Sequence, residues 1–484
     1  MRIGIDFGTT FSLPAGMING APVTLLPGGE YGIPSVFYYD RELGIQIGRS
    51  ADDSAEYAPQ NAVRNIKMEI SEHTGNFELD GRTFTKKEIV SHILKEVATT
   101  ARNETERRQL TSQSIEGAVI TVPAKFQMPE MNFIKEVAED SGIKVLGIIP
   151  EPVAAAIAYF KAPNAEDKKT IMVYDLGGGT CDVAIVRADK NAEHWYTVID
   201  SNMRRIGGRN WDKNVVEVIK KECRKKNPNV TFDDEAEGRI YKAAVTVKEN
   251  LSTLEKAQAR VNIKGRTYTC MITREEFEQA TKELMQTTLK MVREMVQNCS
   301  SKIDYIVCVG GSSNMPQVKQ MLQKDNPDIE IKLYEPEKAI AFGATIYAEN
   351  LFTDNFLRDI CRFSYGARYV EDYEKYHDWD RLRIYNIIYR DTALPAFGES
   401  WSHKLNDSNQ TYIAIYESDC KDERYFPEKG TQIGEIRIEG LHDAKKGDET
   451  KLTMTIEKNG LMTLKAVDQR TQKEVRAEIL LKQY

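Results

Sequence analysis

Two segments of this sequence have the residue types that bind phosphate groups. Each places an aspartate before glycines and threonines, one in Gly4–Thr10 and the other in Val173–Thr180. Glycines let the backbone approach an anion, and the N–H groups of such a turn form an anion-binding concavity. The aspartates, Asp6 and Asp175, could each hold Mg²⁺ directly or through its waters. One copy alone would equally fit a glycine-rich β-turn, but two copies favour phosphate binding.

Three other features indicate a nucleotide site only in combination with these two segments. Ile306–Pro316 reads as a strand, a glycine turn and a helix start, where a flat base or ribose could lie against bare backbone. Glu151 precedes Pro152 and a helix of small residues, and in isolation it would fit an electrostatic helix cap. Lys67, in isolation, would be taken for a surface lysine. The chain has no GxxxxGK[ST] P-loop and no GxGxxG after its first strand.

The elements that must position these residues alternate between strand and helix up to about residue 350, as in an α/β domain. Helices are predicted over 86–106, 130–141, 152–161, 212–226 and 274–298. Capping boxes mark two of their starts, Thr85 with Glu88 and Thr273 with Glu276. The repeated phosphate segment indicates a duplication, with two pseudo-equivalent lobes facing each other across a cleft.

Beyond residue 350 the pattern changes to a two-residue alternation that is typical of antiparallel strands. Strands are predicted over 383–389, 411–416, 432–438, 450–457 and 461–467. Asn459-Gly460 predicts a hairpin between the last two of them. The sequence therefore predicts an antiparallel β domain behind a linker.

Composition excludes several classes of protein. The 484 residues carry 73 acidic and 66 basic side chains, a net charge of −7, which gives no electrostatic reason to expect a nucleic acid or an anionic membrane as partner. The longest apolar stretch, 153–160, is shorter than the roughly 20 residues of a membrane span. Seven scattered cysteines, an odd number with no CxxC, favour a reducing compartment. We therefore expect a cytoplasmic protein with no membrane partner.

Taken together, the motifs resemble those of the seventy-kilodalton heat-shock chaperone (DnaK-like) family. The matching segments, in order, are Gly4–Thr10, Ile120–Ala124, Ile149–Tyr159, Asp175–Asp182, Ile206–Asp212 and Val309–Val318. Each segment alone is unspecific, but the ordered set is specific. The resemblance continues into the β-rich tail and so covers essentially the whole chain.

The resemblance implies a fold and a domain order. An α/β actin-like ATPase domain, two lobes built from duplicated ribonuclease-H-like units, is expected over 1–350. An interdomain linker is expected over 351–365 and an antiparallel β-sandwich that binds substrate over 366–484. The family usually continues into a helical lid, whereas this sequence ends at Tyr484, so a lidless form is expected.

The resemblance also implies an activity, an ATP-hydrolysing chaperone that binds unfolded or extended apolar peptide segments. The implied cofactors are ATP or ADP and Mg²⁺, with K⁺ as a further candidate ion. The implied partners, besides peptides, are a J-domain co-chaperone and a nucleotide exchange factor, acting on a monomer.

Individual positions take roles by their match to the family motifs. The catalytic positions are Lys67, Glu151, Asp175 and Thr180, and the residues that would hold the metal through waters are Asp6, Asp175 and Glu151. The implied nucleotide-binding residues are Asp6, Gly8, Thr9, Thr10, Gly177, Gly178, Gly179, Gly207, Gly208, Lys248, Ser252, Gly310, Gly311 and Ser312.

The sequence departs from the family pattern at two kinds of position. Glu249 and Asn314 stand where the family places two arginines around the adenine, so base selectivity is expected to be looser. Met131 stands where an arginine is expected, and Asn355 and Arg358 replace apolar linker residues, so coupling between the domains is expected to be weaker.

Two other functions remain open at this stage. A regulatory or adaptor protein could bind nucleotide, hydrolyse it poorly and hold one partner through the sandwich; the substitutions just named favour it. The four retained catalytic positions argue against a dead ATPase. A sugar kinase of the same superfold would share the opening hairpin, but the Glu-Pro helix and the β-rich tail do not suit it.

Overall fold

The computed structural model describes residues 1–28, 30–70, 75–110, 114–126, 128–162, 168–189, 195–351, 356–358, 361, 363–370, 381–390, 392–457 and 461–481. The chain divides into two compact units. The first unit comprises Met1–Tyr196 and Asp200–Phe356, and the second comprises Thr197–Ile199 and Leu357–Tyr484. None of the helices in the described ranges is both long and apolar enough to cross a membrane.

The first unit combines helices with β-strands. The helices are α1 (Arg49–Ser54), α2 (Ile66–Glu69), α3 (Lys86–Arg107), α4 (Met128–Asp140), α5 (Glu151–Lys161), α6 (Gly208–Lys226), α7 (Asp234–Leu251), α8 (Arg274–Ala280), α9 (Lys282–Asn298), α10 (Pro316–Asp325) and α11 (Ala339–Glu349). The strands are β1 (Arg2–Phe7), β2 (Phe11–Ile18), β3 (Ala21–Thr24), β4 (Ile33–Pro34), β5 (Val36–Asp40), β6 (Gly44–Ile47), β7 (Ala62–Arg64), β8 (Phe77–Leu79), β9 (Arg82–Phe84), β10 (Gly117–Val122), β11 (Val145–Pro150), β12 (Lys168–Leu176), β13 (Cys181–Asp189), β14 (Tyr196–Arg204), β15 (Lys256–Ile263), β16 (Arg266–Thr273), β17 (Tyr305–Val309) and β18 (Glu330–Leu333).

Two sheets of the first unit share one strand order. The first contains β3-β2-β1-β10-β11 and the second contains β14-β13-β12-β17-β18. In both, the opening strand pairs antiparallel with the next strand and parallel with a later one: β1 with β2 and β10, and β12 with β13 and β17. The repeated sequence segment therefore corresponds to two sheets of the same topology, each with an aspartate as the penultimate residue of its opening strand.

Helices α5 and α11 pack against each other unusually closely. A Cβ added at Gly343 of α11 would lie 1.7 Å from the carbonyl oxygen of Ala154 in α5, so only glycine fits there. Glycine 4 of β1 meets the same helix, since its Cβ position is 2.4 Å from the backbone nitrogen of Thr345. This packing fixes the first residue of α5, Glu151, relative to β1.

The helix prediction over 274–298 is wrong in one respect, because the segment forms two helices, α8 and α9. Thr281 between them leaves the helical region with φ −111° and ψ 6°. Its buried hydroxyl donates to the carbonyl oxygen of Phe277 at 2.8 Å and lies 3.3 Å from Oε1 of Gln317. That contact with α10 is remote in sequence and so has no local signal. The predicted capping boxes at Thr85 and Thr273 are both present.

The described part of the second unit consists mainly of β-strands, most of which form two antiparallel sheets. They are β19 (Leu357–Arg358), β20 (Ser364–Val370), β21 (Leu382–Ile388), β22 (Ala396–His403), β23 (Thr411–Ser418), β24 (Arg424–Tyr425), β25 (Thr431–Ile438), β26 (Glu449–Ile456), β27 (Leu461–Asp468) and β28 (Glu474–Leu480). One sheet has the order β24-β21-β20-β23-β25 and the other has β22-β26-β27-β28.

Alternating burial explains why these strands form. Every second residue of β26 is buried, including Leu452, Met454 and Ile456, as the sequence alternation predicts. The predicted turn at 458–460 lies outside the described residues, but β26 and β27, on either side of it, pair antiparallel with Ile456 opposite Met462. Strand β20 begins at Ser364, inside the stretch predicted to be a linker.

Candidate active site

Lys67 is buried at the centre of the first unit. It lies on the short helix α2, and only 2% of the residue is exposed. Its ammonium group donates hydrogen bonds to the carbonyl oxygen of Phe7 and to Oε1 of Glu151. Lys67 is therefore not the surface lysine that its sequence context alone suggests. Its ammonium group is a buried cation beside Glu151, one of the residues that the motifs predict for the site.

Three aspartates surround this ion pair. Asp6 is the penultimate residue of β1, Asp175 is the penultimate residue of β12, and Asp182 lies opposite Asp175 on β13. Burial, reinforced by the charge of Glu151, raises the pKa of Asp6 and of Asp182 to about 7. The same two causes raise the pKa of Asp175 well above its usual range, while Lys67 opposes the shift. Four acidic groups thus crowd around one ammonium group.

This excess of carboxylates leaves oxygen atoms without partners. Within the described ranges, neither Oδ1 of Asp175 nor Oδ2 of Asp182 has a hydrogen-bond partner, although both are buried. In the same part of the chain, no three His, Cys, Asp or Glu side chains converge closely enough to ligate a metal ion directly. The two unpartnered buried oxygens fit a hydrated divalent cation, because Mg²⁺ usually keeps several of its waters.

The two glycine turns predicted from the sequence meet each other. A Cβ added at Gly178 would lie 1.9 Å from Oγ1 of Thr10, and one added at Gly179 would lie 2.8 Å from Oγ1 of Thr9. Thr9 and Thr180 are buried, whereas Thr10 is exposed. Gly8 is equally constrained, because its Cβ position is 2.1 Å from the carbonyl oxygen of Phe11.

The start of helix α6 lies against the second turn. The Gly208 N–H donates to the carbonyl oxygen of Gly177 at 2.9 Å, and a Cβ at Gly207 would lie 2.5 Å from the carbonyl carbon of Gly178. The Ser312 hydroxyl donates to the same Gly177 oxygen at 3.1 Å. The glycine segments after β12, before α6 and after β17 therefore form one continuous backbone surface.

The third glycine segment reaches the aspartates as well. Gly310 has φ +80°, and its Cβ position is 2.4 Å from Oδ1 of Asp175. Gly311 beside it is exposed and could face a ligand. Lys248 lies behind the α6 turn, where its ammonium group pairs with Asp212 at 2.7 Å.

Among the described residues, the hydrogen bonds of one predicted residue, Ser252, all lie within its own helix. Ser252 is partly exposed, and its hydroxyl donates to the Lys248 carbonyl oxygen of its own helix at 3.3 Å. Two other residues belong to the site without having been predicted, Asp182 and Asp212. Asp182 had a signal, because a hairpin closed after Asp175 places Asp182 directly opposite it. Asp212 had none, because its role depends on the partner Lys248.

A comparison with protein-family models supports the assignment made from the motifs. A model described as Hsp70 protein matches residues 71–483 of this chain. The chain belongs to the Hsp70 family. It is also similar to the chaperone protein dnaK of Guillardia theta, with 27% identity over 513 residues that cover 98% of this chain and 78% of that protein.

These matches confirm the family predicted from the motifs. Hsp70 proteins are chaperone-type ATPases with an actin-like ATPase region and a β-sandwich, and the α/β first unit and the all-β second unit agree with that organisation. The family model begins after Lys67, whereas the similarity to the Guillardia protein spans nearly the whole chain. The role of each site residue in this Hsp70 chain remains a prediction.

Proposed function

We propose that this Hsp70-family chain hydrolyses ATP at the cluster around Lys67 and binds extended apolar peptide segments through its second unit. One observation carries the first half of the proposal: the buried Lys67 ammonium lies between Glu151 and the Phe7 carbonyl oxygen, beside the carboxylates of Asp6, Asp175 and Asp182. A purely structural lysine would not be expected to share a dry site with four acidic groups.

The chemistry of phosphoryl transfer needs positioning and charge stabilisation rather than a covalent intermediate. Lys67 would place its positive charge at the transferred phosphoryl group, where negative charge develops. Glu151, which accepts the Lys67 hydrogen bond, would orient the attacking water. The N–H groups of Gly177, Gly178 and Gly179, with the Thr180 hydroxyl, would hold the phosphate oxygens.

Mg²⁺ would supply charge neutralisation at the phosphates when bound. Asp6, Asp175 and Glu151 would hold it through waters, and the unpartnered oxygen of Asp182 adds a fourth acceptor. The base would lie against Gly310 and Gly311, with Lys248 near the ribose. K⁺ is the further ion this acidic cluster could hold.

The peptide-binding half rests on the family and on the two antiparallel sheets of the second unit. An extended peptide would be held by main-chain hydrogen bonds, with alternate side chains in apolar pockets. We extend the proposal to the usual partners of such a chaperone, a J-domain co-chaperone and a nucleotide exchange factor, and to a monomer acting in the cytoplasm.

Two measurements on the purified full chain test this function. Steady-state phosphate release from ATP should require Mg²⁺ and stop in excess EDTA. Fluorescence anisotropy with a panel of labelled extended peptides should detect binding that follows their apolar content. Nucleotide binding without any turnover would contradict the ATPase half, and binding of no apolar peptide would contradict the other half.

A further inference from the structure

Arg209 lies directly beside the glycine turn that would hold phosphates under the function proposed above. It is in the first turn of α6, and its backbone N–H donates to the carbonyl oxygen of Gly178 at 3.0 Å. The preceding residue, Gly208, is bonded to Gly177 in the same way. The backbone of Arg209 is therefore held against this turn. Its Cα atom, from which the side chain extends, lies next to the turn.

The guanidinium group of Arg209 is incompletely bonded. Its Nη1 atom is buried and, among the described residues, has no hydrogen-bond partner. The other two nitrogens reach only the Tyr241 hydroxyl, with Nε at 3.4 Å and Nη2 at 3.5 Å. These distances are at the long limit for a hydrogen bond. A buried cationic N–H group without an acceptor is costly, so its persistence points to a missing acceptor.

Three other cations of this region each have a carboxylate partner. Lys67 is paired with Glu151, and Lys248 is paired with Asp212. Arg64, whose guanidinium lies 5.5 Å from the centre of the Tyr241 ring, is paired with Asp52.

No carboxylate is paired with Arg209 in the part of the chain that the structure describes. Its charge does lower the pKa of Asp212, but burial of Asp212, which raises that pKa, and its bond to Lys248 are the larger influences. Among these four cations, Arg209 is thus the one without a carboxylate partner in the described residues.

We propose that the Arg209 guanidinium binds phosphate oxygens of the nucleotide, as an additional phosphate ligand contributed by α6. Guanidinium groups match phosphate oxygens with planar, bidentate hydrogen bonds. The anion could belong to the nucleotide or be free phosphate released by hydrolysis, and the chemistry of the contact is the same for both. This inference rests on the proposed ATPase function, since the glycine turn is taken to face phosphates.

Calorimetry on the full chain with Mg²⁺ tests the contact through binding rather than turnover. The ligands are ATP, ADP, adenosine and inorganic phosphate, and the variants are Arg209→Gln and Arg209→Lys. Arg209→Gln should weaken ADP and ATP binding about 10- to 100-fold, as expected for a hydrogen bond to a charged group, and leave adenosine unchanged. Arg209→Lys should recover part of the lost affinity, because lysine keeps the positive charge but lacks the planar pair of N–H donors of a guanidinium group.

A control separates this effect from a general loss of positive charge. Lys213 is exposed on the same helix, so Lys213→Gln should leave all four affinities unchanged. If phosphate alone binds less well to Arg209→Gln while ADP does not, the anion bound by Arg209 is the released product.

Three results would overturn the inference. If Arg209→Gln leaves ADP, ATP and phosphate binding intact, the guanidinium is not a phosphate ligand. If it weakens adenosine as much as ADP, Arg209 acts by holding Tyr241 and the fold of the cleft. If the unmodified chain binds no nucleotide at all, the proposed function itself fails, and this inference fails with it.

Discussion

Lys67 is the residue on which the proposed chemistry depends most. Lys67→Ala should reduce single-turnover hydrolysis of bound ATP at least about 1000-fold, because a charge opposite the developing phosphoryl charge acts in the transition state. Nucleotide affinity should change much less, since the glycine turns and Ser312 remain. Lys86→Ala is the control, a half-exposed lysine that donates to the Glu69 carbonyl oxygen. An unchanged single-turnover rate in Lys67→Ala would remove Lys67 from the catalytic group.

We predict that Glu249 weakens the discrimination between adenine and other bases. This side chain is exposed on α7 beside Lys248, and partial burial of its carboxyl raises its pKa, with Asp212, Glu337 and Asp52 adding to the shift. A carboxylate cannot stack on a purine as a guanidinium can. The unmodified chain should therefore bind ATP and GTP with affinities within about tenfold of each other.

Replacing Glu249 tests this directly. Glu249→Arg should improve ATP affinity by about 2- to 30-fold, corresponding to the roughly 0.5–2 kcal/mol of a cation–π contact. Glu255→Arg, the same change at an exposed position beyond the helix, controls for net charge. Calorimetry would contradict the prediction if the unmodified chain preferred ATP by about a thousandfold, or 4 kcal/mol.

At the scale of elements, the pair of helices α5 and α11 carries Glu151 into the site. Gly343→Ala would insert a methyl group where the Cβ position is 1.7 Å from the Ala154 carbonyl oxygen. The helices must then separate, and we expect a loss of about 2–3 kcal/mol in the free energy of unfolding. Gly28→Ala, at a position with nothing within 4 Å, is the matched control. Equal denaturation midpoints for the two variants would contradict the close packing.

Helix α3 ends on a buried carboxylate whose contribution depends on pH. Glu104 accepts hydrogen bonds from Arg107 and Arg108, and the bond from Arg107 is the main cause that lowers its pKa from 4.5 to about 2. Because the folded pKa is below the unfolded one, the stabilisation is complete above pH 5 and is lost as the pH falls towards 2.

The variant Glu104→Gln should therefore be less stable than the unmodified chain by about 2 kcal/mol at pH 7. The difference should shrink between pH 5 and pH 3, as measured by urea unfolding. Glu106→Gln, an exposed position in the same turn, should show little difference at either pH. A stability difference between Glu104→Gln and the unmodified chain that grows as the pH falls would contradict a lowered pKa of Glu104 in the folded state.

At the scale of the whole molecule, the prediction concerns communication between nucleotide and peptide. Met131 stands where an arginine is expected for coupling, and it is fully buried in the apolar core with Ile134 and Val137. A buried thioether cannot form a switchable ion pair at the surface. A ligand shifts a two-state equilibrium only by its differential affinity for the two states.

Release of a fluorescent peptide should accordingly differ by less than about tenfold between the ADP and ATP states. Stopped-flow measurements with each nucleotide at saturation check this, and parallel binding measurements confirm that both nucleotides are bound. Acceleration by ATP of a hundredfold, equivalent to about 2.7 kcal/mol, would show that coupling survives through other residues.

Local signals in the sequence predicted the family, which the comparisons confirm, and most of the residues of the candidate site. Glycine turns, the aspartates that precede them and the capping boxes depend on neighbours a few positions away, so Asp6, Asp175 and Gly177–Thr180 could be found without a structure. Local patterns also predicted the strands of the second unit, because the alternation of apolar and polar residues indicates which face of a strand is buried.

Only the tertiary structure decided the features that join distant segments. Lys67 lies 84 positions from Glu151, and their pairing made a lysine that resembles a surface residue into the buried cation of the site. The break at Thr281 depends on Gln317, 36 positions away. Arg209 has no distinguishing local pattern at all, since what sets it apart is a missing partner. Burial and pairing are properties of three-dimensional neighbours, and a sequence read along the chain does not contain them.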